Sequence, residues 1–241
     1  MPPPPLQAFN AWRTRLASGA ALDEHDAMKL LRDFNLPANP GYIVNSDAEA
    51  RAAARELGYP VVLKTAMRGI DHKSDRDGVR LDIDDDASLL AAYQDLAGRI
   101  GLRTLVAPMI RTAGVEMLLG MINDAQFGPV VVVGFGGVHV EALADVVYAL
   151  PPFDAAEARR LVERLKMSAL LTSRRHKRPL AIDAFCRTAA QFSMLVASLG
   201  GELAEMDLNP VIVHADGCAI VDALAIPRSR DLPEPKARHA S

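Results

Sequence analysis

Apolar positions along this chain switch repeatedly between the spacing of a helix and that of a strand. Ala27, Leu30, Leu31 and Phe34 recur at three- and four-residue steps, which predicts one helical face. Asp23, Glu24 and Asp26 precede that stripe, where the positive end of a helix dipole favours acids, and Asn35 with Pro37 closes it. Ser46 is placed to cap a helix over Asp47 to Leu57, and further helical patterns cover Ser88 to Ile100, Ala155 to Leu165 and Ile182 to Leu199. On the last of these, Cys186 and Met194 are expected to face the core.

Short runs rich in β-branched residues predict strands at Tyr42 to Val44, Pro60 to Lys64, Val79 to Ile83, Leu102 to Met109, Val115 to Met121 and Pro129 to Val133. A closing hairpin pairs Glu205 to Val213 with Cys218 to Ala223. Helices mixed with hairpins predict an α+β (mixed α/β) protein of two lobes. Residues 1–20 read as a loosely held arm with a Pro run and a short helix around Phe9 to Ala17, and the Pro-, Arg- and Lys-rich residues 228–241 read as a disordered tail.

Composition narrows the classes of function. Half of the 241 residues are apolar and 24% are charged, enough for a buried core. The net charge of −3 gives no global basic field of the kind that draws nucleic acid. Cys186 and Cys218 form neither a metal spacing nor a disulfide framework, which favours a reducing, cytoplasmic setting. No apolar run is long enough to span a bilayer, and the N-terminal Pro run does not resemble a signal peptide.

Several residues then stand out chemically. Asp207 and Asn209 share one face of a strand, and an Asp216-Gly217 turn would bring Asp222 back as the diagonal neighbour of Asn209. Three oxygen-bearing side chains so placed suit a hard cation such as Mg²⁺, completed by phosphates, although such residues on an exposed hairpin are more often simply solvated. The segment Gly134-Phe135-Gly136-Gly137 follows a buried strand and could bring backbone N–H groups to phosphate oxygens, or serve only as a tight turn. Lys64 ends an apolar strand, and His72 lies in the polar loop after it. Glu116 begins a strand, and Arg174 to Arg178 form a basic loop that could grip phosphates or remain solvated. The common fingerprints GxGxxG and GxxxxGK[ST] are absent.

Taken in order, Tyr59-Pro-Val-Val-Leu-Lys64, His72-Lys-Ser-Asp75, Gly78-Val79, Val106-Ala-Pro-Met109, Gly114-Val-Glu-Met117, Gln126 to Glu141, and Glu205-Met-Asp-Leu-Asn-Pro210 with Asp222 resemble the ATP-grasp (β-type) subunit of NDP-forming acyl-CoA synthetases. The succinyl-CoA synthetase β subunit is related. The resemblance covers about residues 20–226 and implies a two-lobed ATP-grasp fold, with a small lobe over 21–105 and a large lobe over 106–227.

It also implies roles. Lys64 would meet the α/β phosphates, Ala107, Pro108, Met109 and Ile110 would form the hinge that reads adenine, and Glu116 would hold ribose. Gly136 and Gly137 would contact nucleotide; Asn209 and Asp222, with Asp207 beside them, would bind Mg²⁺. His72 would relay phosphate, and Arg175 matches a loop arginine.

The reaction implied by the resemblance is acyl-CoA + NDP + phosphate ⇌ acid + CoA + NTP through an acyl phosphate and phosphohistidine, with ATP/ADP or another NTP/NDP as the nucleotide pair, the choice between ADP and GDP being left open by the sequence. It needs an α-type CoA-binding and ligase subunit carrying the main phosphohistidine. The chain departs from the family pattern at Ala144 (often Lys), Ala149 (commonly Arg), Ala107 (usually Gln) and in the longer loop 173–179. These departures leave two alternatives, a weakened regulatory or assembly subunit and a stand-alone ATP-grasp ligase.

Overall fold

The computed structural model describes residues 6–67, 77–137, 145–172 and 178–228. Two sheets, each paired antiparallel throughout, carry the fold.

The first sheet is formed by β1 (Tyr42–Val44), β2 (Val61–Thr65), β3 (Val79–Ile83) and β4 (Thr104–Pro108), in the order β1-β4-β2-β3. Helices α3 (Asp47–Leu57) and α4 (Asp86–Arg99) cover it, closing a core of Val61, Leu63 and Val106 against Ala50, Ala54, Leu89 and Tyr93. Both helices start on a side-chain cap: Ser46 accepts from the Glu49 N–H at 3.2 Å, and Asp85 accepts from the Ser88 N–H at 2.7 Å. Ser88 returns the contact to the Asp85 N–H, completing a capping box.

The second sheet runs β10-β8-β5-β6-β7, with β9 also on β8. Its strands are β5 (Gly114–Asp124), β6 (Gly128–Phe135), β7 (Val146–Ala149), β8 (Leu203–His214), β9 (Gly217–Ile220) and β10 (Leu224–Pro227). Alternation on β5 sends Met117, Leu119 and Met121 into the larger core and leaves Glu116 and Ile122 outward. That core is closed by α5 (Ala155–Glu163) and α6 (Ile182–Leu199), and by the apolar faces of α1 (Leu6–Ala17) and α2 (Glu24–Asp33).

Several expectations change here. Trp12 and Leu16 of α1 are buried in the larger core, together with Ala27, Leu30 and Leu31 of α2, so these helices pack with the second sheet rather than the first. Thr104–Pro108 is an inner strand of the first sheet. The strands Val146–Ala149 and Leu224–Pro227 were not expected; both are four-residue pieces whose partners lie far away in sequence. Cys186 is buried as expected, but Met194 is 56% exposed. Nine residues after Phe185, it lies roughly half a turn round the helix from the core stripe.

Candidate nucleotide and cation site

Lys64 is the fourth residue of β2, a strand buried along its whole length. A lysine there must find partners, because an unpaired buried charge is costly. Three acceptors meet its ammonium: Glu24 Oε1 at 2.7 Å, the Val221 carbonyl at 2.9 Å and Asp222 Oδ2 at 3.0 Å. Burial alone would push the Lys64 pKa down, yet the Asp222 and Glu24 carboxylates outweigh it and hold the pKa above the ordinary lysine value. Lys64 and Glu24 are each 8% exposed, whereas the Asp222 side chain is open enough to meet a ligand.

The contact also crosses between cores. Glu24 begins α2, which packs in the larger core, while Lys64 sits on the sheet of the smaller one.

The second group gathers around Glu116 of β5 and Asn209 of β8. The Gly136 N–H donates to the Glu116 carbonyl at 2.8 Å, and the Gly137 N–H donates to Asn209 Oδ1 at 3.1 Å. Close approach of backbone requires glycine at Gly136, and a side chain at Gly137 would displace the Glu116 carboxylate. A Cβ on Gly136 would lie 2.5 Å from the Met117 carbonyl oxygen, and one on Gly137 would lie 1.9 Å from Glu116 Oε2. Gly137 also has φ +77°, a region that side chains disfavour.

The hairpin holds the expected ligand set in a corrected register. His214 pairs with Gly217, so Ala215-Asp216 is the loop rather than Asp216-Gly217. Within the loop, the Asp216 carboxylate accepts from Arg178 at 2.7 and 3.2 Å, and its N–H donates to His214 Nδ1 at 3.2 Å. Val211 therefore pairs with Ile220, and after a break Asp207 pairs with Leu224. The register is the same on both sides of the break, which places Asn209 level with Asp222 instead of diagonal to it. The shift is two residues, so each side chain keeps its face. Asp207 lies two residues before Asn209 on β8; burial, with Glu205 and Asp222 nearby, pushes its pKa up to about 6. Asn209, Asp222 and Asp207 offer only hard oxygen donors, which fits Mg²⁺ or a similar cation.

The expected hinge is partly sheet. Ala107 pairs with Val62 and Pro108 with Val61, the Met109 N–H donates to the Pro60 carbonyl at 3.0 Å, and Asn39 Nδ2 donates to the Pro108 carbonyl at 3.3 Å. Ile110 follows as a half-buried residue. A cleft between α2 and β4 reaches this segment, lined by Glu24, His25, Arg32, Asn39, Ala107 and Val221 among others. Ala149 on β7 pairs with Val131 and packs against the larger core, so that position is a packing site in this chain. His72, Arg175 and Ala144 lie outside the described residues.

Sequence reasoning missed Glu24, Asn39 and the Val221 carbonyl. Glu24 looked like an ordinary helix-start acid, and nothing local links it to a lysine forty residues away.

A family model described as an ATP-grasp domain matches residues 14–226. The chain belongs to the ATP-grasp family. Within it, this ATP-grasp chain is 33% identical to the β subunit of acetate–CoA ligase (ADP-forming) II of Pyrococcus furiosus, over 88% of this chain and 94% of that one. It is 35% identical to a trans-feruloyl-CoA synthase of prokaryotic origin, but spans only 31% of that relative's length.

Among solved structures, a dinucleotide-forming acetyl-CoA synthetase of Candidatus Korarchaeum cryptofilum, in complex with coenzyme A and Ca-AMPCP, superposes with a TM-score of 0.84 at 31% identity. That match covers 92% of this chain and all of that one. Another complex of the same synthetase holds coenzyme A and Mg-AMPPCP, with a phosphohistidine segment pointing towards the nucleotide binding site. The relatives are thus ADP-forming acyl-CoA synthetases and their nucleotide-binding subunits, and the ATP-grasp fold expected from the resemblance is the fold observed.

Proposed function

We propose that this chain is the nucleotide-binding unit of an ADP-forming acyl-CoA synthetase, exchanging phosphate between ATP/ADP and an acyl phosphate through a phosphohistidine. The carrying observation is the convergence at one junction of a buried, charged lysine with an oxygen ligand set and a glycine loop: Lys64 on Asp222, and Gly137 on Asn209. Phosphoryl transfer asks a protein mainly for positioning and charge neutralisation, and these are the groups that supply both.

In this reading Lys64 and the Gly136–Gly137 backbone take phosphate oxygens, Glu116 takes ribose hydroxyls, and residues 107–110 lie along the base. Asn209 and Asp222 would hold Mg²⁺ with Asp207 beside them; when bound, the ion neutralises charge on the phosphates. His72 is assigned the phosphate relay and Arg175 a supporting phosphate contact, both from resemblance. The CoA-binding and ligase functions belong to an α-type partner, as the β-subunit relatives imply.

Co-expression with a candidate α-type chain, followed by an assay for ATP formation dependent on acyl-CoA, ADP and phosphate, tests the proposal. Turnover by the complex, lost in Asp222→Ala, is expected. A complex that assembles and binds ADP but turns over no acyl-CoA would leave the regulatory alternative standing. Turnover by the chain alone would overturn the need for a partner.

A further inference from the structure

One oxygen of each of the two residues assigned to the cation, Asp222 and Asn209, is already engaged, and by the same groups assigned to the phosphates. Asp222 Oδ2 accepts from the Lys64 ammonium at 3.0 Å, and Asn209 Oδ1 accepts from the Gly137 N–H at 3.1 Å. Asp222 and Asn209 are thus each paired, through one oxygen, with a phosphate donor of the same chain. Glu24 at 2.7 Å and the Val221 carbonyl at 2.9 Å hold Lys64 in that position, and neither carries it away from Asp222.

A cation arriving alone would meet Asp222 with the Lys64 ammonium still on Oδ2, and would share the carboxylate with that positive charge or displace it with no new anion to receive it. A phosphate arriving alone would have to draw Lys64 off Asp222 and leave a carboxylate facing the phosphate. Only when both arrive does each of the four groups exchange one partner for another: carboxylate and amide oxygen to cation, ammonium and N–H to phosphate.

We propose that this self-pairing is a built-in exclusion device: Lys64 blocks Asp222 against free divalent cations, so that cation and nucleotide enter together. The inference rests on the assignment of this site to a cation-bound nucleotide. It gives Glu24 a defined task as a positioning residue, anchoring the blocking ammonium from α2 across the lobe junction.

Mn²⁺ alone is the probe, its uptake followed by electron paramagnetic resonance without nucleotide. Because ADP itself chelates Mn²⁺, the deciding comparison is made in its absence. The key variant is the double substitution Glu24→Gln/Lys64→Met. It removes one charge of each sign, so the net charge of the site is unchanged while Asp222 is unblocked. Mn²⁺ should bind this variant about tenfold more tightly than wild type, the size expected when a competing ion pair of moderate strength is removed. Adding Asp222→Ala should abolish the gain, showing where the ion sits. Lys64→Met alone should also gain, but it leaves Glu24 buried without its lysine, so circular dichroism must accompany it.

Equal Mn²⁺ affinity in wild type and the folded double variant would overturn the exclusion device while leaving the nucleotide site intact, provided wild type still binds Mn-ADP by calorimetry. If wild type binds neither Mn²⁺ nor Mn-ADP, the functional assignment falls and the inference with it.

Discussion

Single residues here are fixed by distances too short to tolerate change. Gly137 is the sharpest case. Alanine there would place a Cβ on top of the Glu116 carboxylate and hold a side-chain residue at φ +77°. Glu116 can swing away, but it then leaves the position assigned to ribose. Gly137→Ala should therefore weaken Mg-ADP binding by about tenfold, while costing only about 1 kcal/mol in stability from the backbone conformation. Calorimetric titration with thermal melts separates the two effects, and unchanged affinity would remove Gly137 from the site.

Asp207 gives a pH prediction. Its pKa rises from 3.8 to about 6 on folding, so between those values the folded chain holds more protons than the unfolded one. Stability contributed through this group is therefore greatest at low pH and falls as pH rises through that window. Asp207→Asn removes the penalty. In chelator, urea unfolding should show the variant gaining on wild type at about pH 7 and gaining only about a third as much at about pH 4.5. An advantage of the same size at both pH values would mean that the carboxyl is not held up by its surroundings.

At the scale of elements, the informative pieces are the short ones. Helix α1 has a weak amphipathic pattern, yet Trp12 is 5% exposed and donates its indole N–H to Asp33 of α2 at 2.8 Å. The helix thus belongs to the larger core rather than hanging as a loose arm. Trp12→Ala should cost about 3 kcal/mol, as large-to-small changes in cores do, read as a lowered urea midpoint. A loss within experimental error would return α1 to the status of an arm.

The β8–β9–β10 arrangement makes the same point. One long strand pairs with two short ones in a single register, and the link between them, tied to β8 by the Val221 N–H donating to the Pro210 carbonyl at 3.2 Å, carries Val221 and Asp222 to the lysine. The break, rather than the hairpin itself, presents the ligand.

For the whole molecule, the junction between the two cores is where the chemistry collects. Glu24 from the larger core, Lys64 from the smaller sheet and Asp222 from the edge of the larger sheet meet within one hydrogen-bond shell. A nucleotide with its cation would replace these contacts with its own and so take over part of the contact between the lobes. The acyl and CoA chemistry lies outside this chain in the proposal above, which is why its decisive assay needs the partner.

Local chemistry was legible in the sequence wherever it could be satisfied locally. The Ser46 cap, the strands flanking Lys64, the main helices and the presence of Asp207, Asn209 and Asp222 near one hairpin all follow from spacing and side-chain type, while the ATP-grasp fold was legible through the resemblance of an ordered motif series to a known family. Burial and register were decided only by the tertiary structure. Met194 turned outward because the core chose the opposite side of its helix, and the hairpin closes two residues away from the expected register, with His214 opposite Gly217. Glu24 became part of the site only because packing α2 into the larger core brings it to Lys64. Residues distant along the chain interact only after both cores have closed, and no local pattern encodes which buried lysine a given carboxylate will meet.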